Sequence, residues 1–361
     1  MDKQAEVRLT AYTASEQAYA ALPALARPYG QRFVLAGGHK AMRAGQARLM
    51  KAIAGSGLEL AAQLHYGKDC TWQAAQRLAQ EVLSLGADFM LGMGGGRALD
   101  TVKAAADMAG LPVLTLPTTA ATCAAITRLS VMYDEQGGFE RFYFLKQAPR
   151  HCLINLQVLA EAPVQYLRAG LGDSLAKHVE APFAARGQAQ SHADGLGLSI
   201  AEGIYGQIAG CAAQAIADNR AGRVSEALLT AALCSIVSTG YVALLVQEAF
   251  NGALAHSLYY ALEHLPQAKA LLHGDMVAWG AAVQLVMDGQ EGKARELLRL
   301  LKAMGTPASL QEMGIMLGEP LVQEVLQQVC EKPDMQGLPY AVNTPMVLRA
   351  VSALEALSAH Q

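Results

Sequence analysis

The sequence lacks closely spaced cysteines, runs of like charge, long unbroken apolar stretches and internal repeats. Its six cysteines, Cys70, Cys123, Cys152, Cys211, Cys234 and Cys330, are scattered, with no CxxC pair. In a chain of 361 residues that pattern argues against a disulfide framework and for reduced thiols in a cytoplasm. With 28 basic against 31 acidic residues and a net charge of -3, no charged block offers a surface for nucleic acid or for a membrane. The first residues, MDKQAEVRLTAYTASEQ, contain no apolar core of a secretory signal. Apolar runs such as 231–237 break well before the roughly 20 residues that span a bilayer, so no membrane segment is expected. No low-complexity linker separates the parts. What is present is 52% hydrophobic content over a length that supports two domains.

The chain is organised around residues 87–103, ADFMLGMGGGRALDTVK. This reads as a buried strand over 88–93, a break at Gly94, Gly95 and Gly96, and a helix from near Arg97 that carries Asp100 and Lys103. Glycines let backbone N–H groups approach a phosphate, and a helix N-terminus adds a favourable dipole. A tight turn without a ligand is the ordinary alternative.

Around it, strand and helix signals alternate. Strands are expected at 7–10, 32–36, 58–65, 112–116 and 151–156, and helices at 15–25, 39–54, 71–85 and 97–108. A hairpin over 129–133 and 139–145 turns at 134–138. Such alternation implies a parallel, doubly wound α/β sheet with ligands at the carboxyl ends of its strands, where Gly37, Gly94 and Thr118 fall. From Pro163 onward strand signals fade and alanine, leucine and glutamine recur at helical spacing. The expected domains are 1–162, α/β and dinucleotide-binding, and 163–361, all-helical, packed closely around a cleft.

In the helical half, Asp173 follows Ala169-Gly170-Leu171-Gly172 where a helix is expected to begin, His256 lies in a helix, and His273 precedes Gly274. A carboxylate and two imidazoles suit a catalytic divalent metal with an open position. Taken singly, Asp173 reads equally as a helix N-cap and each histidine as a core or surface residue.

The segments Gly92–Lys103 in number order GMGGGRALDTVK, then PTTAAT at 117–122, LSVMY at 129–133, AGLGD at 169–173 and His273-Gly274 together resemble the iron-containing alcohol dehydrogenase and glycerol dehydrogenase superfamily, whose fold is shared with dehydroquinate synthase. The resemblance runs over nearly the whole chain. It implies Asp173, His256 and His273 as catalytic metal ligands, with zinc the expected ion and iron(II) or manganese(II) as alternatives. It implies that Gly94, Gly95 and Gly96 hold a dinucleotide pyrophosphate beside Asp100. Thr118, Thr119, Thr127, Leu129, Val131 and Tyr133 would wall the adenosine and nicotinamide. It further implies Lewis-acid polarisation of a substrate oxygen while hydride passes to or from nicotinamide, a small-molecule substrate and a homo-oligomer.

Three departures refine the expectation. Glycerol dehydrogenases carry an aspartate where this chain has Cys123; Thr122-Cys123-Ala124-Ala125 resembles the hydroxycarboxylate dehydrogenase branch instead. A neutral thiol spares a 2-oxo acid the repulsion of a carboxylate, and Arg128 nearby can attract one. Tyr259 replaces a histidine that many members use for proton relay, which leaves relay to water or to the tyrosine, or makes the enzyme slow. The turn at Gly37-Gly38-His39-Lys40 lacks the acid that binds ribose hydroxyls in NAD-specific members, and Lys40 can pair with a 2′-phosphate, which favours NADP(H) over NAD(H). Lys177 stands at a fourth-ligand position and cannot serve, so three protein ligands are expected. His65, His192 and His264 read as structural or surface residues. A polyol dehydrogenase, a catalytically impaired nucleotide-binding homologue, and a lyase like dehydroquinate synthase, for which the helical half has too few basic residues, are the competing readings.

Overall fold

A computed structural model of the chain describes residues 7–359. It divides into two compact units, Met1–Val164 with Ala217–Gly240, and Gln165–Ile216 with Tyr241–Gln361. The division is not a single cut at 162/163. Residues 217–240 group with the α/β unit, so the second unit is built from two stretches of chain.

The first unit carries β1 (Ala11–Ser15), α1 (Leu22–Ala26), β2 (Arg32–Gly37), α2 (His39–Ala52), β3 (Glu59–His65), α3 (Trp72–Ser84), β4 (Phe89–Gly94), α4 (Gly96–Ala109) and β5 (Val113–Pro117). The antiparallel hairpin β6 (Leu129–Tyr133) and β7 (Phe139–Phe144) follows, then β8 (His151–Asn155) and α5 (Leu156–Ala160). Six strands form one parallel sheet in the order β1-β8-β5-β4-β2-β3. Alternation along the strands sends Phe33, Leu35, Phe89 and Leu91 to one face, with Leu22 and Leu49 of α1 and α2. Val34, Ala36 and Met90 face Leu78, Val82, Val102 and Ala105 of α3 and α4 on the other. A sheet buried on both faces explains the near-continuous apolar runs.

Two expectations near the N-terminus are corrected. The first strand lies at Ala11–Ser15, not 7–10, because its register is set by pairing residue for residue with His151–Asn155. That pairing holds the chain extended through Ser15, so the helix expected over 15–25 is reduced to a short turn at Ala18–Ala21 and to α1.

The helical elements continue with α6 (Val164–Ala184), α7 (His192–Arg220), α8 (Glu226–Leu233), α9 (Thr239–Leu245), α10 (Leu254–Leu262), α11 (His273–Met287), α12 (Glu291–Met304), α13 (Pro320–Gln327) and α14 (Thr344–Ala359). A wider π-type turn, Cys234–Ser238, joins α8 to α9 into one helical run. That run, Glu226–Leu245, has 20 residues and a mean hydropathy of 2.0 over its most apolar window, so among the described residues one helix is long and apolar enough to cross a membrane, where the sequence reading expected apolar runs too short for that. Within it 61% of the apolar window is buried inside the protein, with Leu228, Ala231, Ala232 and Ile236 in the core.

In the first unit an ion pair ties α4 to the hairpin. Lys103 and Asp100 meet at 2.9 Å with side chains 0% and 8% exposed. Lys103 Nζ also donates to the carbonyls of Thr127 and Leu129, at 3.2 and 2.5 Å, while the Val131 amide donates to Asp100 Oδ2 at 3.2 Å. Burial pushes the Asp100 carboxyl up; Lys103 and the Val131 amide oppose it. A buried charge stripped of its partner is costly, whereas removal of both is mild. Lys103→Met should therefore lower stability by about 3–5 kcal/mol in urea unfolding followed by circular dichroism, and Asp100→Asn/Lys103→Met should recover at least half of that loss. Equal losses in the single and double variants would contradict a paired-charge role.

Candidate functional site

In the second unit, Asp173, His256 and His273 converge. One donor atom from each lies within 4.8 Å of the others, and Asp173 Oδ1 is 3.9 Å from His256 Nε2 and 3.4 Å from His273 Nε2. Asp173 is in the interior of α6, not at a helix start, which removes the N-cap reading. The helix continues through Gly170 and Gly172, and Gly172 admits another backbone instead of breaking the helix. A Cβ on Gly172 would lie 2.3 Å from the Gly274 carbonyl oxygen, and one on Gly274 would lie 1.7 Å from the carbonyl oxygen of Ala169. Thus α6 and the start of α11 touch backbone to backbone, and Asp173 and His273 flank the contact. A third contact, with Gly280 of α11 against the Ala255 backbone at 2.9 Å, seats His256 in the first turn of α10. Arg168 braces the crossing with a bidentate pair to Asp275, at 3.0 and 2.9 Å, and a further bond to the Gly305 carbonyl.

The residues behind the ligands complete the chemistry. Glu180, fully buried on α6, accepts from the amides of Ala253 and His256, at 2.8 and 2.9 Å, and from His256 Nδ1 at 2.5 Å. With Nδ1 donating, the lone pair of His256 is on Nε2, which faces Asp173 and His273. Lys177, one turn after Asp173, donates to the Asn251 carbonyl and is turned away from ligation. Burial raises the carboxyls of Asp173 and Glu180, but His273, His256 and Lys177 more than offset it and hold both below their usual range. Burial lowers His256, and Glu180 outweighs it, so that imidazole titrates above its usual value. Tyr259 packs edge-on against the His273 ring at 4.4 Å, which restrains that ring. One carboxylate and two imidazole nitrogens, already aimed at a common point and already bonded behind, fit a divalent metal.

In the first unit, the candidate nucleotide residues gather at the carboxyl ends of β2 and β4. This is the switch point of the sheet, because the chain leaves β2 toward β3 on one side and β4 toward β5 on the other. Gly38 precedes α2 and Gly95 precedes α4, and no side chain caps either helix. Their first-turn N–H groups are therefore available to an anion. A Cβ on Gly37 would strike the Met93 carbonyl at 2.1 Å, so that glycine serves the approach of β2 to β4. Cβ atoms on Gly95 and Gly96 would come within 3.1 Å of the hydroxyls of Thr119 and Thr122, which overhang the loop, and the Thr118 amide donates to the Gly94 carbonyl at 3.0 Å. Arg97 pairs with Asp69 and lies over the Tyr133 ring at 4.9 Å. Lys40 and Arg128 are exposed. Asp100, Thr127, Leu129 and Val131 are bonded to one another through Lys103, so they hold the wall of this region in place. Cys123 Cβ lies 3.4 Å from the Cβ position of Gly240, in the loop that follows β5.

The family described as Iron-containing alcohol dehydrogenase matches residues 10–155 by its sequence model. Hydroxycarboxylate dehydrogenase A of Escherichia coli K12 is 33% identical over 281 residues, 77% of this chain and 76% of that protein. A glycerol dehydrogenase of Pseudomonas putida is 29% identical over 303 residues, 82% of each chain. The chain belongs to the iron-containing alcohol dehydrogenase family. The crystal structure of glycerol dehydrogenase from Schizosaccharomyces pombe shares its fold, with a TM-score of 0.88 and 23% identity over 99% of this chain and 92% of that one. This member of the family is accordingly an oxidoreductase, an alcohol dehydrogenase by class, with a parallel α/β unit and a helical one.

Glu180 and Arg168 escaped the sequence reading. The signal for Glu180 was available: Asp173, Lys177 and Glu180 are spaced to share one helix face, and an apolar-flanked glutamate on a buried face needs a partner. Arg168 carried no such signal, because Asp275 is 107 residues away.

Glu180→Gln should lower metal affinity about 10- to 100-fold, read by competition with a chromophoric chelator; unchanged affinity would remove the role given to the Glu180–His256 bond. Gly274→Ala forces the two backbones apart and should cost at least about 2 kcal/mol in thermal or urea unfolding, with loss of metal content. Full metal content at unchanged stability would show that the close crossing is not what assembles the ligands.

Proposed function

We propose that this family member is a metal-dependent, NAD(P)-linked dehydrogenase that interconverts a small 2-hydroxy acid and its 2-oxo acid. The observation that carries the redox reading is the convergence of Asp173, His256 and His273 with the Glu180 bond behind them. When bound, a divalent ion supplies Lewis acidity at the substrate oxygen, and nicotinamide supplies or accepts the hydride. The chain's own residues bind and orient. Asp173, His256 and His273 hold the ion, Tyr259 restrains His273, and Gly37, Gly38 and Gly94–Gly96 in number order offer backbone N–H groups to the dinucleotide. Thr118, Thr119 and Tyr133 border that loop region. Zinc suits the nitrogen-rich donor set, which iron(II) and manganese(II) also accept. The proton of the substrate hydroxyl leaves to water, directly or with the Tyr259 hydroxyl as a relay that gives its own proton to water as it takes the substrate's.

The preference for an acid substrate rests on Cys123, a neutral group, and on Arg128, an exposed cation in the same loop region. Glycerol or another polyol is the second reading, favoured by the glycerol dehydrogenases among the relatives. NADP(H) is favoured over NAD(H) by the absence of an acid after β2 and by exposed Lys40.

The zinc-reconstituted protein should oxidise NADPH with 2-oxobutyrate or 2-oxoglutarate at least about tenfold more efficiently than it reduces NAD+ with glycerol, a transition-state difference of about 1.4 kcal/mol. Cys123→Asp should reverse that preference. Turnover of glycerol alone in the parent protein would reject the acid substrate and keep the dehydrogenase.

A further inference from the structure

Lys177 is a buried charge on α6 that the ligand set does not use. It is 6% exposed, four residues after Asp173 and three before Glu180. On a helix that spacing puts the three side chains on one face. Burying an ammonium is costly, and the usual remedy is a carboxylate partner. Two carboxylates flank it here, yet Lys177 forms no ion pair among the described residues. Its Nζ donates to two neutral oxygens of one residue, the Asn251 carbonyl and, at 3.3 Å, Asn251 Oδ1.

The acceptor is itself held in place. Asn251 Nδ2 donates to the Ala243 carbonyl at 3.4 Å, which leaves Oδ1 for the ammonium. Glu180 is engaged elsewhere, by the His256 ring and by the amides of Ala253 and His256. Asp334 lies against the next residue, with its Oδ2 2.4 Å from the Cβ position of Gly252, and is not paired with Lys177. Asn251 thus keeps the ammonium off the Asp173 carboxylate. A lysine paired with Asp173 would compete with an ion for that oxygen. A lysine held by neutral oxygens leaves the carboxylate free and keeps its own charge uncancelled.

We propose that Lys177 is the charge-setting residue of the metal site, a fixed cation that Asn251 holds off Asp173, so that the site binds a divalent ion less tightly and stays more positive once loaded. The proposal rests on the reading of Asp173, His256 and His273 as metal ligands, and it gives Lys177 a role beyond not being a fourth one. The surplus charge suits the acid substrate proposed above and a centre that polarises an oxygen. Sign and size follow from Coulomb's law. Like charges repel, and a unit charge about 10 Å from a divalent ion is worth more than a factor of ten at an effective dielectric constant of about 20. A residue that only braced the chain behind the ligands would, when replaced, weaken metal binding instead. The direction of the change therefore separates the two roles.

The test is the zinc affinity of the full chain at one fixed pH, read by competition with a chromophoric chelator, for the parent, Lys177→Gln, Lys177→Arg and Asn251→Asp. Lys177→Gln keeps a donor for Asn251 and drops the charge, and it should bind zinc at least about tenfold more tightly than the parent. Asn251→Asp leaves α6 untouched and cancels the ammonium where it stands. It should tighten binding as well, and it carries the test if Lys177→Gln does not fold. Lys177→Arg keeps the charge and should stay closer to the parent than Lys177→Gln does. Weaker or unchanged binding in either folded neutralised variant, or an arginine variant as tight as the glutamine one, overturns the charge-setting role and leaves the metal site standing. No zinc binding by the parent overturns the metal site, and the role of Lys177 with it.

Discussion

The backbone contact between Gly172 and Gly274 is the constraint on which the candidate metal site depends. Helices joined through ordinary side chains keep their axes 8–10 Å apart. Here the Gly172 Cβ position lies 2.3 Å from the Gly274 carbonyl and the Gly274 position 1.7 Å from that of Ala169, so neither residue tolerates a side chain. Asp173 and His273 are the neighbours of those glycines in sequence, and the contact therefore sets the carboxylate and the imidazole at 3.4 Å. The Gly280–Ala255 contact extends the same device to α10 and His256. Because α11 is buried along nearly its whole length, it acts as the fixed member against which α6 and α10 are placed.

Close helix packing alone would leave the ligands free to rotate and to exchange tautomers. The carboxylates behind them remove that freedom. Glu180 orients His256 through Nδ1 and through two amides, and Asp275 takes Arg168 in a two-pronged pair at the foot of His273. These buried charges cost desolvation, and each is compensated by several bonds, so they act more as registration than as net stabilisation. The same logic holds in the α/β unit, where Asp100 and Lys103 bind the hairpin to the helix that starts at the glycine loop.

The family's fold supports several alcohol and aldehyde chemistries, so substrate choice belongs to individual side chains and not to the architecture. Here those side chains are few. They include the thiol of Cys123, the ring edge that Tyr259 lays against His273, and the imidazole and lysine of His39 and Lys40 in the turn after β2. The absence of a carboxylate at Cys123 and in the turn after β2 suits the anionic partners proposed above.

Much of the fold was legible in the sequence because its signals are local. Strand and helix periods, the glycine triplet and the fade of strand signals after Pro163 depend on neighbours within a few residues, and the expected elements fall within a few residues of those found, apart from the N-terminal strand and helix. That Asp173, His256 and His273 form one candidate metal site was suggested only by resemblance, since nothing in their spacing requires Asp173 and His273, 100 residues apart, to meet. Tertiary structure alone decided that Asp173 is mid-helix, that residues 217–240 group with the α/β unit, that Glu180 supports His256, and that His65 stacks on His39. The physical reason is the same in each case. A glycine signals that a side chain is missing, but not which backbone will fill the space, and a buried charge signals that a partner is needed, but not where along the chain that partner lies.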